Sequence, residues 1–215
     1  MNRMLLVALV MGLATSTAGW ASLFDRGRGL VYDDDIDVTW LQDGNYARTS
    51  GYDLTGAMTW DAAVVWVTNL EFGGYSDWRL PAMHIPDSTC VFPGNSVSAG
   101  YGCTGSELSH LFYSELGGEA GRSISAVHNQ NYDLFNNVQS YWYGTEYAPA
   151  PQFAWDFFFN WGGQQADEKG GRLYAWAVRD GDVTAVISEP TTVAIVSLGL
   201  IGLTVLRRKQ SHSTP

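Results

Sequence analysis

Positive charge is scarce in this chain of 215 residues: 12 Lys and Arg stand against 22 Asp and Glu, a formal net charge of −10. Such a surface repels phosphate and carries no basic stripe, so no nucleic-acid partner is expected. Charge of either sign is sparse, at 16% of residues against about 25% in an ordinary domain. The 24 glycines have no three-residue period, which excludes a collagen-like helix. Internal repeats are absent, and no Gly-x-Ser-x-Gly elbow marks a nucleophile. His84, His110 and His128 show no paired metal-ligand spacing. What the chain does hold is aromatics, 13% of residues with nine Trp, and a disordered chain would be poor in them. A compact, acidic, aromatic-rich domain is expected.

The two ends read as addresses. Arg3, the apolar run Met4 to Ala14, and small residues Gly19 and Ala21 before a cut after Ala21 make residues 1–21 a secretory signal peptide, with an uncleaved anchor as the alternative. Either way the chain leaves the cytoplasm. At the other end, Thr191 to Leu206 is apolar and near the lower length limit for crossing a bilayer. Arg207, Arg208 and Lys209 follow it, and the positive-inside rule would hold them, with residues 210–215, on the cytoplasmic side of the inner membrane. The domain between, residues 22–188, carries eight basic and 21 acidic residues, a net −13. One domain of this length can bury a full core.

The order Glu189-Pro190, short apolar helix, basic cluster resembles a PEP-CTERM sorting signal of Gram-negative bacteria. Ser188 stands where the first Pro of that motif would be. The resemblance implies processing near Glu189 and Pro190 by an exosortase-type protease, and delivery to the cell surface, outer envelope or exopolysaccharide matrix.

Cys90 and Cys103 are the only cysteines. In an exported protein they are expected to form a disulfide that staples a Gly/Ser/Pro-rich loop. Two cysteines alone do not complete a metal site.

Within the domain, residues 29–41 read as two short strands around an acidic turn. Thr59 reads as the N-cap of a helix whose face is Trp60, Ala63, Val64, Val67 and Leu70, with Asp61 favourable in its first turn. A second helix is expected after Ser106 or Thr104, with Leu108, Leu111, Phe112 and Leu116 in period, ended by Gly117-Gly118. Residues 140–147, 153–161 and 173–179 read as half-buried strands, and this strand-rich second half is expected to pair with the N-terminal strand. The expected fold class is α+β: a single domain with a mixed or antiparallel sheet, two helices and long loops.

The segments Asp37 to Ala47, Met58 to Pro81, Ser106 to Leu116, Tyr141 to Tyr147, Ala154 to Gly162 and Tyr174 to Asp182 together resemble the Lcl C-terminal domain family, the terminal domain of a bacterial collagen-like adhesin. The cores Asp77-Trp78-Arg79-Leu80-Pro81 and Tyr141-Trp142-x-Gly144-Thr145-Glu146 carry most of that likeness. The layout is loosely similar to C-type-lectin-like and formylglycine-generating-enzyme-like folds. The adhesin's collagen repeats are absent, so trimerisation through them does not transfer.

Several residues are candidates for binding. Trp142, Trp155 and Trp161 could stack on sugar rings, with Asp156 and Asn160 as hydrogen-bonding neighbours; most of these aromatics are expected in the core. Arg79 is read first as tying a loop to carbonyls or a carboxylate, and second as gripping a ligand. Glu146 is expected to pair with Arg79 or Arg179. No cofactor is expected. Asp33, Asp34, Asp35 and Asp37 could offer oxygens to Ca²⁺, but their spacing is not that of an EF-hand, and a solvated acidic turn is the simpler account.

The sequence therefore points to an exported surface or matrix protein that binds polysaccharide or another surface component without catalysis. Two alternatives remain. One is an exported enzyme acting on glycans through a Glu146 and Asp156 carboxylate pair. The other is a structural envelope protein that binds partner proteins.

Overall fold

Strands β1 (Leu23–Gly27), β2 (Leu30–Asp33) and β3 (Val38–Leu41) form an antiparallel meander. The computed structural model describes residues 23–94 and 97–183. The expected signal peptide and the sorting tail, with its apolar helix, lie outside the described residues. Among the described residues no helix is long and apolar enough to cross a membrane.

After a single helical turn, α1 (Tyr46–Thr49), and a two-residue strand, β4 (Ala57–Met58), comes α2 (Trp60–Thr68). Thr59 caps α2 as the sequence indicates, its hydroxyl accepting from the Ala62 N–H at 3.4 Å. The buried face is Trp60, Ala63, Trp66 and Val67, with Val64 half-buried; Leu70, which the sequence places on this face, is buried just past the helix end. A small hairpin, β5 (Phe92–Pro93) and β6 (Ser98–Ala99), follows.

The second expected helix changes pitch midway. It starts as α3 (Glu107–His110) and continues as a π turn over Leu111–Glu115. There the Leu116 N–H donates to the carbonyl of Leu111, five residues back, at 2.9 Å. A 3₁₀ turn at Gln130–Leu134 leads into β7 (Ser140–Glu146), β8 (Phe153–Phe158), β9 (Gly163–Glu168), β10 (Leu173–Tyr174) and β11 (Val178–Asp180).

Two sheets result. One has the order β1-β2-β3-β11, the other β4-β10-β7-β8-β9, in which only β10 and β7 run parallel. The class is α+β in one domain. Residues 173–179 do not form one strand: β10 belongs to one sheet and β11 to the other, and buried Ala175-Trp176-Ala177 cross between them. Trp176 fills the junction against Trp40, Phe135, Tyr141 and Phe159, at centroid distances of 4.9 to 5.8 Å.

An unpaired N–H in the core is costly, and several buried indoles meet main-chain acceptors, while among the described residues those of Trp40 and Trp155 do not. Trp60 donates to the Tyr143 carbonyl, Trp142 to Met58 and Trp176 to Leu41, at 2.8, 3.1 and 2.7 Å. These bonds lock helix α2, strand β4 and strand β3 onto their neighbours.

Candidate functional site

The structure sorts the tryptophans sharply. Trp40, Trp60, Trp66, Trp78, Trp142, Trp155 and Trp176 are buried, and among the described residues Trp161 alone is not. Trp142 and Trp155 are therefore removed as stacking platforms: at 0% and 1% exposure neither face can reach a sugar. The reason is topological. β7 and β8 lie inside the five-stranded sheet, and β8 is buried on both faces through Ala154, Trp155, Asp156 and Phe157.

Asp156 goes inward with its strand. Both of its carboxylate oxygens lack a hydrogen-bond donor. Burial, reinforced by Asp167 on β9, pushes its carboxyl up to about 9, so it is protonated at neutral pH. Glu146 is exposed at the far end of β7 and pairs with Lys169 at 2.7 Å, not with either arginine.

The two arginines are occupied. Arg79 makes a two-pronged contact with Glu107, both bonds 2.7 Å, donates to the Leu80 carbonyl at 3.3 Å, and pairs with Asp180. Burial works against its charge, but Glu107 and Asp180 more than offset this and raise its pKa. It also lines a groove of about 280 Å³ with Val64, Thr68 and Thr145. Arg179 grips Asp77 at 2.8 and 2.9 Å and lies 4.1 Å over the Tyr75 ring. The Arg179 hydrogen bonds hold the Asp77 carboxyl below its ordinary range. The Asp77-to-Pro81 segment is thus a structural clasp on β11, which Arg79 also meets through paired backbone bonds to Val178.

A distinct surface forms at the turn between β8 and β9. Trp161 stacks on Phe158 at 5.4 Å with 21° between planes, and Tyr101 meets it edge-on at 5.3 Å. Tyr101 belongs to the loop closed by the Cys90–Cys103 disulfide. On the same loop Val91 and Phe92 are exposed, Phe92 by 65%. The Tyr113 hydroxyl fixes this loop to the turn, accepting from the Gly102 N–H at 3.0 Å and donating to the Gly162 carbonyl. Gly100 and Gln164 exchange backbone bonds at 2.8 and 3.0 Å. On the other side of the turn, exposed Asn160 lines a concavity of about 170 Å³ with Ser123, Ser125, Tyr132, Gln139 and Ser140. One turn therefore carries partly exposed aromatic rings, with hydroxyl and amide groups beside Asn160.

Of the acidic cluster, Asp34, Asp35 and Asp37 stay exposed while Asp33 turns into the core. There it meets His110 and Glu115. His110 Nε2 is 3.2 Å from Glu115 and 3.8 Å from Asp33. Burial disfavours an imidazolium, but the two carboxylates outweigh it and push His110 up to about 9. Burial raises Glu115 as well, and its bond to His110 only partly counters this.

The ligand atoms of these three residues all lie within 4.8 Å of one another. Asp87, Cys90 and Cys103 also converge, but the disulfide removes their thiols as ligands. Sequence reading missed the first trio because five-residue spacing does not mark one helix face. In an α-helix residues five apart sit roughly 140° from each other. The π turn winds more slowly and brings them to one side.

A family model, that of the Lcl C-terminal domain, matches residues 29–179. No curated protein and no solved structure matches the chain.

Proposed function

The chain belongs to the Lcl C-terminal domain family, and on that premise we propose that it is an exported cell-surface or matrix protein whose domain binds polysaccharide, without catalysis, at the turn between β8 and β9. The observation that carries this reading is the placement of Trp161, the one described tryptophan outside the core, beside Tyr101 on a disulfide-held loop. A flat, pre-set aromatic face offers apolar contact to a sugar at little entropic cost. Asn160 and the hydroxyls of Ser123 and Ser125 supply polar neighbours across the turn. The net charge of −13 on residues 22–188 favours a neutral polymer over an anionic one.

The disulfide supports an oxidising compartment. Export by the signal at residues 1–21 and PEP-CTERM-type processing at Glu189 and Pro190, ahead of Arg207 and Arg208, complete the reading. An exosortase-type protease is then a partner, and the inner membrane a way-station.

The test is retention of the secreted protein on neutral and anionic polysaccharides in a glycan array and a matrix pull-down. Binding to a neutral glycan that Trp161→Ala abolishes is expected. Recovery of a protein partner with no glycan would instead favour a structural envelope role. Mass spectrometry of the mature C-terminus is expected to end near Glu189, whereas an intact Arg207-Arg208-Lys209 end would mark a plain anchor.

A further inference from the structure

We propose that Asp33, His110 and Glu115 form a metal site for a divalent first-row transition cation, Zn²⁺ in the first instance, buried between strand β2 and the π turn.

The first ground is unmet bonding. Asp33 and Glu115 are both 0% exposed. Neither oxygen of Asp33 has a hydrogen-bond donor, and neither has Oε2 of Glu115. Native proteins rarely leave three buried carboxylate oxygens unpaired without a ligand to meet them. The second ground is charge. Among the described residues, the ion-pair partner of both carboxylates is His110. Even a protonated imidazole leaves the trio one negative charge in excess, and buried uncompensated charge is costly. A dication held by a neutral imidazole and two carboxylates leaves none.

Distances and donor types agree. Ligand bonds of about 2.0–2.1 Å in a tetrahedral zinc site place neighbouring ligand atoms about 3.3 Å apart. His110 Nε2 stands 3.2 Å from Glu115 and 3.8 Å from Asp33, so small side-chain shifts close the shell. One nitrogen with two carboxylates suits Zn²⁺ or Mn²⁺, whereas Ca²⁺ prefers an all-oxygen shell of six to eight ligands. The scaffold is firm. Asn129 and Asn131 side chains donate to the Glu115 carbonyl at 2.8 and 3.0 Å, and Asp33 is held in a four-stranded sheet. The His110 side chain keeps 12% exposure, which gives an ion a way in and a fourth ligand position to water.

Zn²⁺ alone, with Mn²⁺ and Ca²⁺ in parallel, is titrated calorimetrically into EDTA-treated full-length protein. One Zn²⁺ per chain and a higher melting temperature on loading are expected, with Asp33→Asn and Glu115→Gln each weakening affinity by about tenfold or more. Ca²⁺ is expected not to compete. Near-UV circular dichroism shows whether each variant is folded. If a variant is not, the visible absorption of Co²⁺-loaded wild-type protein decides: bands of nitrogen–oxygen ligation support the site, and the spectrum of aqueous Co²⁺ overturns it. Failure of the wild type to take up either Zn²⁺ or Mn²⁺ stoichiometrically overturns the proposal. So does unchanged affinity in the two folded variants.

Discussion

The indole of Trp161 lies across Gly163, so close that a β-carbon there would fall 1.5 Å from the ring. The aromatic surface at the β8–β9 turn therefore depends on a residue with no side chain. Gly162 beside it adopts φ +73°, and its own β-carbon position is closed by Phe112. Trp161 is held in place by backbone shape as much as by Phe158 and Tyr101.

Gly163→Ala should displace Trp161 and weaken polysaccharide retention as strongly as Trp161→Ala does. The two differ in stability. Trp161→Ala removes a half-exposed ring and should cost about 1 kcal/mol or less, while Gly163→Ala strains a strand end and should cost more. Tryptophan fluorescence and thermal melting of the two variants distinguish the cases. Full retention of polysaccharide by Gly163→Ala would detach binding from this surface.

The disulfide closes a loop of sequence separation 13 between two buried cysteines. Chain-entropy reasoning gives such a staple about 3 kcal/mol. The loop has independent anchors at Gly100, Ser98 and Gly102, so the reduced protein should stay folded while becoming less stable by roughly that amount. Urea unfolding with and without reductant reads the difference. An unchanged midpoint would mean that these anchors alone hold the loop.

Much of the scaffold was legible because local chemistry and tertiary packing agree there. Thr59 followed by Trp60, Ala63 and Val67 gives a cap and a face, and the helix forms where they predict. Cys90 and Cys103 in an exported chain give the bridge. Other features depended on what lay opposite. Trp155 and Asp156 look like half-buried strand residues until β7 and β9 flank their strand and its second face is covered too. Residues 173–179 alternate like one strand, yet Trp176 is needed at the junction and splits them between two sheets. Glu146 found Lys169, an approach across the β7 and β9 ends that sequence separation conceals. His110 and Glu115 came together only through a change of helical pitch.

Arg79 is the strongest single clasp. Its guanidinium reaches Glu107, Asp180 and the Leu80 carbonyl at once. Glu107 also accepts from the Ala82 N–H at 2.6 Å and is largely buried, so losing Arg79 leaves a carboxylate short of its main partner. Arg79→Ala should destabilise by about 2 kcal/mol, a value discounted because the arginine is one-third exposed. Arg79→Lys should recover little of it, since an ammonium cannot reproduce a two-pronged contact. Equilibrium urea unfolding checks both, and full rescue by lysine would show that only charge matters.

Asp156 makes the stability depend on pH. Burial and Asp167 push its carboxyl up to about 9, against 3.8 for a free aspartate. Between those values the folded chain keeps a proton that the unfolded chain has released. Stability from this group is therefore greatest below about pH 4 and falls as the pH rises towards 9. Asp156→Asn removes the titration, so its stability curve should be flatter over that window. Near pH 7 the variant should exceed the wild type by roughly 4 kcal/mol, from about 1.36 kcal/mol for each unit of pH above the unfolded value of 3.8. The opposite sign, a wild type gaining stability from pH 5 to 8 relative to Asp156→Asn, would mean that the carboxylate is ionised in the core and held by a partner. Denaturant midpoints of the two proteins, compared across that range, decide it.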